Sequence, residues 1–159
     1  MSHPALPSID ALLIDVRLID VLLIDDDPFM LNLLADMLAE LGGFAVHAET
    51  TARGALARLG SAPPGLLICD LSMPDTDGIE FLQAAAAAGY GGSVMLLSGM
   101  DAGVRHAAEH LARAHGLKVI GAYRKPISLA QLGAALAPLL QGQTARHGIS
   151  HNLTPLSGK

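Results

Sequence analysis

Side chains that can take part in chemistry follow four short apolar runs of this sequence. The polar residues that follow these runs are Asp25, Asp26, Asp27, Asp70, Ser98 and Lys125. Short apolar runs that alternate with helical patterns are typical of buried strands in a parallel sheet. Ligands of such sheets bind outside the carboxyl ends of the strands. We therefore expect these side chains to converge at one edge of one sheet.

The expected cluster carries an excess of negative charge. At such an edge, the carboxylates of Asp25, Asp26 and Asp70 would lie close together. Each would then raise the pKa of the others. A hard divalent cation removes this repulsion, and Mg²⁺ suits one or two carboxylates together with waters and phosphate oxygens. Lys125 can pair with a carboxylate or a phosphoryl oxygen, and Ser98 can hydrogen-bond a further oxygen. The set fits phosphoryl transfer onto a carboxylate, where catalysis is mostly positioning and charge neutralisation.

The elements that must position these residues form five strand–helix units. The strands are predicted at 21–24, 44–47, 66–69, 94–97 and 119–124. The helices are predicted at 28–41, 51–59, 79–88, 104–115 and 129–140. This alternation predicts an α/β fold, a flavodoxin-like (βα)5 doubly wound parallel sheet with strand order 2-1-3-4-5.

The first helix has the clearest sequence signals. Asp27 is suited to cap it, Pro28 suits its first turn, and Gly42 and Gly43 end it. Its apolar positions recur at helical spacing and predict one buried face, formed by Met30, Leu33, Leu34, Met37, Leu38 and Leu41.

Composition limits the function classes. The chain has 159 residues and is 51% hydrophobic, which suits one domain with a substantial core. A net charge of −5 with two tyrosines, three phenylalanines and no tryptophan argues against a nucleic-acid surface. The single cysteine, Cys69, provides no disulfide framework or zinc cluster and is expected to be a core residue. No apolar run approaches a membrane span and the start lacks a signal peptide, so we expect a cytoplasmic location without membrane contact.

Four motifs in this order resemble the receiver domain of two-component response regulators, the CheY-like fold. The motifs are IDDDP at 24–28, CDLSMPDTDGIEFL at 69–82, LLSG at 96–99 and RKPIS at 124–128. Each motif is weak alone, but four in the right order, each after a strand, are specific. The resemblance covers residues 20–140 as the receiver domain, which leaves 1–19 as an N-terminal extension and 141–159 as a C-terminal tail.

The resemblance implies a phosphoryl-accepting site that uses Mg²⁺. Asp70 would be the phosphoacceptor. Asp25 and Asp26 would be the acid pair that holds the metal ion, together with Asp70 and the backbone carbonyl of Ser72.

The resemblance also implies roles for residues that act on the phosphoryl group. Ser98 would be the switch hydroxyl and Lys125 the lysine that pairs with phosphate. Ser72 and Met100, two positions beyond Asp70 and Ser98, would tune the lifetime of the phosphoryl group. Because Met100 is apolar and Ser72 is short, we expect slow self-dephosphorylation.

Two features depart from the family pattern. The position three residues before the lysine, usually aromatic, is Ala122, with Tyr123 beside it. The interval between Ser98 and Lys125 is longer than in compact receivers, and we expect the extra length in 101–118. This segment resembles receivers joined to cyclic-di-GMP phosphodiesterase (EAL) domains.

The leading functional prediction is a phospho-acceptor module that stands alone or is separated from its output domain. Its partners would be a histidine kinase or phosphotransfer protein, and a downstream protein that contacts the fourth helix, fifth strand and fifth helix. It could also form a homodimer, and it would be no enzyme beyond its own phosphorylation and dephosphorylation.

Two other functions remain open from the sequence. A haloacid-dehalogenase-type phosphatase would use Asp25 as nucleophile, and its first three motifs would be mimicked by Asp25 with Asp27, by Ser98 and by Lys125. That family needs additional acidic residues late in the chain, which this sequence lacks, and it gives Asp70 no role. A receiver-shaped interaction domain that never turns over phosphate is the third reading.

Overall fold

The computed structural model describes residues 17–73 and 78–148. Strands and helices alternate along the chain as β1 Ile19–Ile24, α1 Pro28–Leu41, β2 Phe44–Glu49, α2 Ala52–Ser61, β3 Leu66–Asp70, α3 Gly78–Ala87, β4 Ser93–Ser98, α4 Ala102–Ala114, β5 Lys118–Arg124 and α5 Leu129–Gly148. The predicted extension up to residue 16, the loop at 74–77 and the tail from 149 lie outside the described residues.

The five strands form one parallel sheet in the order β2-β1-β3-β4-β5. The predicted fold class and strand order are therefore confirmed. The order reverses between β1 and β3, so the carboxyl ends of these two strands flank the switch point where ligands of such sheets bind. None of the helices in the described ranges is both long and apolar enough to cross a membrane.

Each face of the sheet carries its own apolar core. Side chains from alternate strand positions pack under α1 and α5 on one face and under α2, α3 and α4 on the other. The second core includes Cys69, and burial raises the pKa of its thiol. A thiol in such a position is an unreactive packing group, as predicted.

The first helix follows its sequence signals with one correction. Asp27 caps the helix, and its carboxylate accepts a hydrogen bond from the Phe29 N–H at 3.0 Å. The fully buried positions are Leu31, Leu34 and Leu38. Leu31 was absent from the predicted face and Leu33, which was included, is only half-buried. The predicted Met30, Met37 and Leu41 contribute partly buried side chains to the apolar cluster that α1 shares with the sheet and α5.

The predicted element bounds agree with the structure to within two residues, except at the end of the chain. The last helix was predicted to stop at Leu140, where the apolar pattern ends, but it continues to Gly148. Helical hydrogen bonds form between nearby residues of one segment, so a polar segment can extend a helix already started by packing without any apolar period of its own.

A bulge in β5 determines which side chains face α4. Val94 pairs with Val119, but Met95 pairs with Gly121, so Ile120 is an extra residue. After the bulge, Ala122 packs on the α4 side of the sheet, whereas Tyr123 packs on the side of α1 and α5. The bulge therefore turns the tyrosine away from α4.

Candidate functional site

Asp70 ends β3 at the predicted edge of the sheet, and its side chain is 3% exposed. Its Oδ1 accepts a hydrogen bond from the Ser72 N–H at 2.9 Å, and its Oδ2 lies 3.0 Å from Lys125 Nζ. Burial raises the pKa of the Asp70 carboxyl, although the Ser72 N–H and Lys125 act in the opposite direction. A partly desolvated carboxylate that is held from two sides has a defined direction of attack.

The three aspartates after β1 have different surroundings. Asp25 is 1% exposed, accepts a hydrogen bond from the Asp27 N–H at 3.0 Å and lies 2.6 Å from Lys125 Nζ. Asp26 is exposed. Asp27 is occupied as the helix cap. Asp25 and Asp26 thus belong to the site, whereas the carboxylate of Asp27 serves the helix.

Lys125 connects the two strands that flank the switch point. Its ammonium contacts both Asp25 and Asp70, and its side chain is 17% exposed. Burial alone would lower the pKa of this ammonium, but its hydrogen bonds to the two carboxylates raise the pKa above the ordinary value. Its backbone N–H donates to the Ser98 carbonyl at 2.9 Å, which fixes the end of β5 against β4. Lys125 therefore places a positive charge, fixed by two carboxylate contacts, beside Asp70.

Ser98 is completely buried at the end of β4. Its Oγ accepts a hydrogen bond from the Met100 N–H at 2.9 Å. The Met100 carbonyl in turn accepts one from Arg105 Nη1 at 3.1 Å. Neither contact was predicted from the sequence. The position of Ser98 two residues before Met100 is a sequence signal for the contact between its Oγ and the Met100 N–H, because serine side chains often hydrogen-bond to nearby backbone N–H groups.

The loop after β3 begins close to the site. Met73 is buried in the apolar core on the side of α2, α3 and α4, whereas Ser72 is exposed beside Asp70. Gly78 starts α3 against the backbone of Leu71, and a Cβ at position 78 would come within 2.7 Å of the Leu71 Cα. Only glycine permits this approach, so Gly78 acts in packing rather than in binding.

The arrangement is able to hold a divalent cation. One carboxylate oxygen each from Asp25, Asp26 and Asp70 lies within 4.8 Å of the others. The ammonium of Lys125 contacts Asp25 and Asp70, and with Asp26 the group of three carboxylates keeps an excess of negative charge. Oxygen ligands of this kind suit Mg²⁺, and the exposure of Asp26 leaves room for waters or phosphate oxygens. The roles predicted for these residues stay predictions, but their convergence at one edge is observed.

Comparison with known proteins identifies related chains. The sequence profile of the family described as response regulator receiver domain matches residues 21–137. Cyclic di-GMP phosphodiesterase RocR of Pseudomonas aeruginosa is 31% identical over 116 residues, which cover 72% of this chain and 30% of that protein. Transcriptional regulatory protein QseB of Haemophilus influenzae is 30% identical over 143 residues, which cover 86% of this chain and 58% of that protein.

A solved structure agrees with these sequence matches. The crystal structure of a response regulator from Colwellia psychrerythraea is 37% identical, with a TM-score of 0.69, and the match covers 79% of this chain and 99% of that chain. The curated relatives are longer proteins, since the matched region spans 30% of RocR and 58% of QseB.

Proposed function

Because this chain belongs to the response regulator receiver domain family of two-component signalling, we propose that it accepts a phosphoryl group on Asp70 from a histidine kinase or a phosphotransfer protein. The receiver would occupy residues 20–140 and work in the cytoplasm. The observation that carries the proposal is the position of Lys125, 3.0 Å from Asp70 and 2.6 Å from Asp25. This ammonium is already beside the oxygen that would receive the phosphoryl group.

In the proposed reaction, an oxygen of Asp70 forms a bond to phosphorus. The bond between phosphorus and the donor histidine nitrogen breaks, and the imidazole leaves. Lys125 exchanges its contact with the Asp70 oxygen for one with a phosphoryl oxygen, and the Ser98 hydroxyl donates a hydrogen bond to another phosphoryl oxygen. These donors face developing negative charge from a largely buried position, where charge-assisted hydrogen bonds are strongest.

Receiver domains bind Mg²⁺ through acidic residues, and this chain has a cluster of that kind. Asp25, Asp26 and Asp70, with the backbone carbonyl of Ser72, would hold the ion here. When bound, Mg²⁺ would neutralise charge on the phosphoryl oxygens during transfer. The spacing of the carboxylates and the solvent access at Asp26 support this assignment.

The partners of the phosphorylated form are proposed from the family. The signal would leave through α4, β5 and α5 to a downstream protein or to a second copy of the chain. The output activity would reside in a separate chain or in a region beyond the receiver. RocR is described as a phosphodiesterase, but the match covers only 30% of it, so we propose no activity of that kind for this chain.

Intact mass tests the proposed function. The protein is incubated with acetyl phosphate and Mg²⁺, and one added phosphoryl group is expected. An acyl phosphate should then be removed by hydroxylamine at neutral pH, whereas a serine phosphate should resist it. A protein that gains no mass under these conditions would instead fit the reading of a receiver-shaped interaction domain.

The alternative of a phosphatase with Asp25 as nucleophile is not supported by the site. Asp27, which that mechanism would need beside the substrate, caps α1. Asp25 is held between the Asp27 N–H and Lys125, while Asp70, which the phosphatase would not use, has a lysine contact of its own.

Tyr123 should contribute little to the switch. Its ring packs on the α1 and α5 side of the sheet, above Gly121, where an added Cβ would meet the tyrosine Cε2 at 2.8 Å. Backbone NMR shift changes on phosphorylation should therefore concentrate in residues 98–130 and persist in Tyr123→Ala, with a lower melting temperature from lost packing. Loss of these shift changes in the mutant would show that the tyrosine has taken over the switch.

Met100 should lengthen the life of the phosphoryl group. Its apolar side chain, 39% exposed beside Ser98, can shield the phosphorus from an in-line water but cannot orient one. We expect slow self-dephosphorylation and a severalfold shorter half-life in Met100→Ser, measured by loss of the phosphoryl mass. A wild-type half-life of seconds that the substitution leaves unchanged would contradict this role and indicate that another group positions the water.

A further inference from the structure

The hydroxyl of Ser98 is already connected to the loop that follows β4. It accepts a hydrogen bond from the Met100 N–H at 2.9 Å, and Ser98 itself is fully buried. A hydroxyl can accept one hydrogen bond while it donates another, so rotation of the O–H alone leaves the contact with Met100 in place. If Oγ itself moves toward a phosphoryl oxygen, the Met100 N–H keeps its acceptor only by following, and the Met100 backbone is displaced.

The carbonyl of Met100 is hydrogen-bonded to α4. The Met100 carbonyl accepts a hydrogen bond from Arg105 Nη1 at 3.1 Å. Arg105 lies in the first turn of α4, where its backbone N–H donates to the Asp101 carbonyl at 3.1 Å. Met100 is thus hydrogen-bonded through its N–H to the Ser98 hydroxyl and through its carbonyl to Arg105 of α4.

The helix α4 is weakly fixed by apolar packing. The buried side chains of this helix, all of whose residues the structure describes, are Ala108 and Ala112. By contrast, α1 buries three leucines. At its far end, α4 is held to β5 by Arg113, whose guanidinium donates to the Val119 carbonyl at 2.9 Å. A helix with so little buried apolar area can shift at low cost.

The aromatic connection used elsewhere in the family has no equivalent here. Ala122 occupies the aromatic position, and Tyr123 lies on the opposite side of the sheet from α4. On the basis of the proposed function, we infer that Arg105 is the positioning residue that transmits the movement of Ser98 to α4, through the Met100 carbonyl. Coupling in this chain therefore runs along a hydrogen-bonded backbone segment instead of through a ring that changes rotamer.

Beryllium fluoride, which forms a stable phosphoryl mimic on aspartate, allows a direct test with Mg²⁺ present. Amide NMR shift changes on its addition are compared between the wild-type chain and Arg105→Ala. We expect equal changes at Leu71, Ser72 and Ser98 in both proteins. The changes at residues 106–114 should be at least threefold smaller in the variant, and Arg105→Lys should restore part of them, because the lysine can still donate to the carbonyl.

Arg113→Ala is the matched control, because it removes the other α4 arginine that donates to a backbone carbonyl. We expect it to keep the shift changes at residues 106–110. Equal changes at 106–114 in wild type and Arg105→Ala would overturn the inference while leaving the proposed function intact. A wild-type protein without any change at Leu71 to Ser72 would overturn the proposed function and the inference with it.

Discussion

Replacing Asp70 with asparagine should abolish phosphorylation by acetyl phosphate. The amide keeps the size of the carboxylate but is a poor nucleophile for phosphorus. Lys125 would keep its contact with Asp25 at 2.6 Å, so the lysine should stay charged and in place. Intact mass should therefore show one added phosphoryl group in the wild-type protein and none above background in Asp70→Asn.

Asp27→Asn provides the control for this experiment. It changes an aspartate of the same region by the same chemistry, but its side chain caps α1, a role that asparagine also fills. We expect this variant to be labelled like the wild type. Labelling of Asp70→Asn at the wild-type level would exclude Asp70 as the acceptor, and mapping the label to Asp25 would favour the phosphatase mechanism.

Mg²⁺ should stabilise the folded chain, and the effect should depend on Asp26. Three carboxylates with oxygens within 4.8 Å of one another repel each other in the absence of a cation. At a Mg²⁺ concentration about 100 times Kd, mass action adds about 2.7 kcal/mol to the free energy of unfolding. Asp26→Ala should remove most of this gain and should weaken Mg²⁺ binding in calorimetric titration.

Asp27→Ala separates a metal ligand from a helix cap. Because Asp27 accepts the Phe29 N–H, its loss should lower the free energy of unfolding by about 1 kcal/mol, by the same amount with and without Mg²⁺. Thermal melts of both variants, with Mg²⁺ and with chelator, give the comparison. A loss of Mg²⁺ stabilisation in Asp27→Ala that is absent in Asp26→Ala would reverse the assignment of these two residues.

Local sequence signals were sufficient for the architecture. Apolar runs and helical stripes gave five strand–helix units, and the order 2-1-3-4-5 expected for a flavodoxin-like sheet of such units is the one observed. The cap at Asp27 was readable because capping involves only the next few residues. The end of α5 at Gly148 could not be predicted in this way, since a polar extension of a helix has no apolar period.

The membership of the site also followed from the sequence. Asp70, Ser98 and Lys125 each end a strand or follow one directly, and the carboxyl ends of parallel strands share one edge. Their convergence therefore depends on topology alone. The separation of Asp26 from Asp27 was likewise expected from the capping preference of aspartate before a helix.

The connections among these residues were decided by the tertiary structure. The sequence places Lys125 directly after β5, but only the fold brings its ammonium to both Asp25 and Asp70. Ala122 and Tyr123 are neighbours, and which of them faces α4 depends on a bulge beside Gly121. Strand alternation has a period of two, so one extra residue exchanges the two faces, and that residue becomes visible only when β5 is paired with β4.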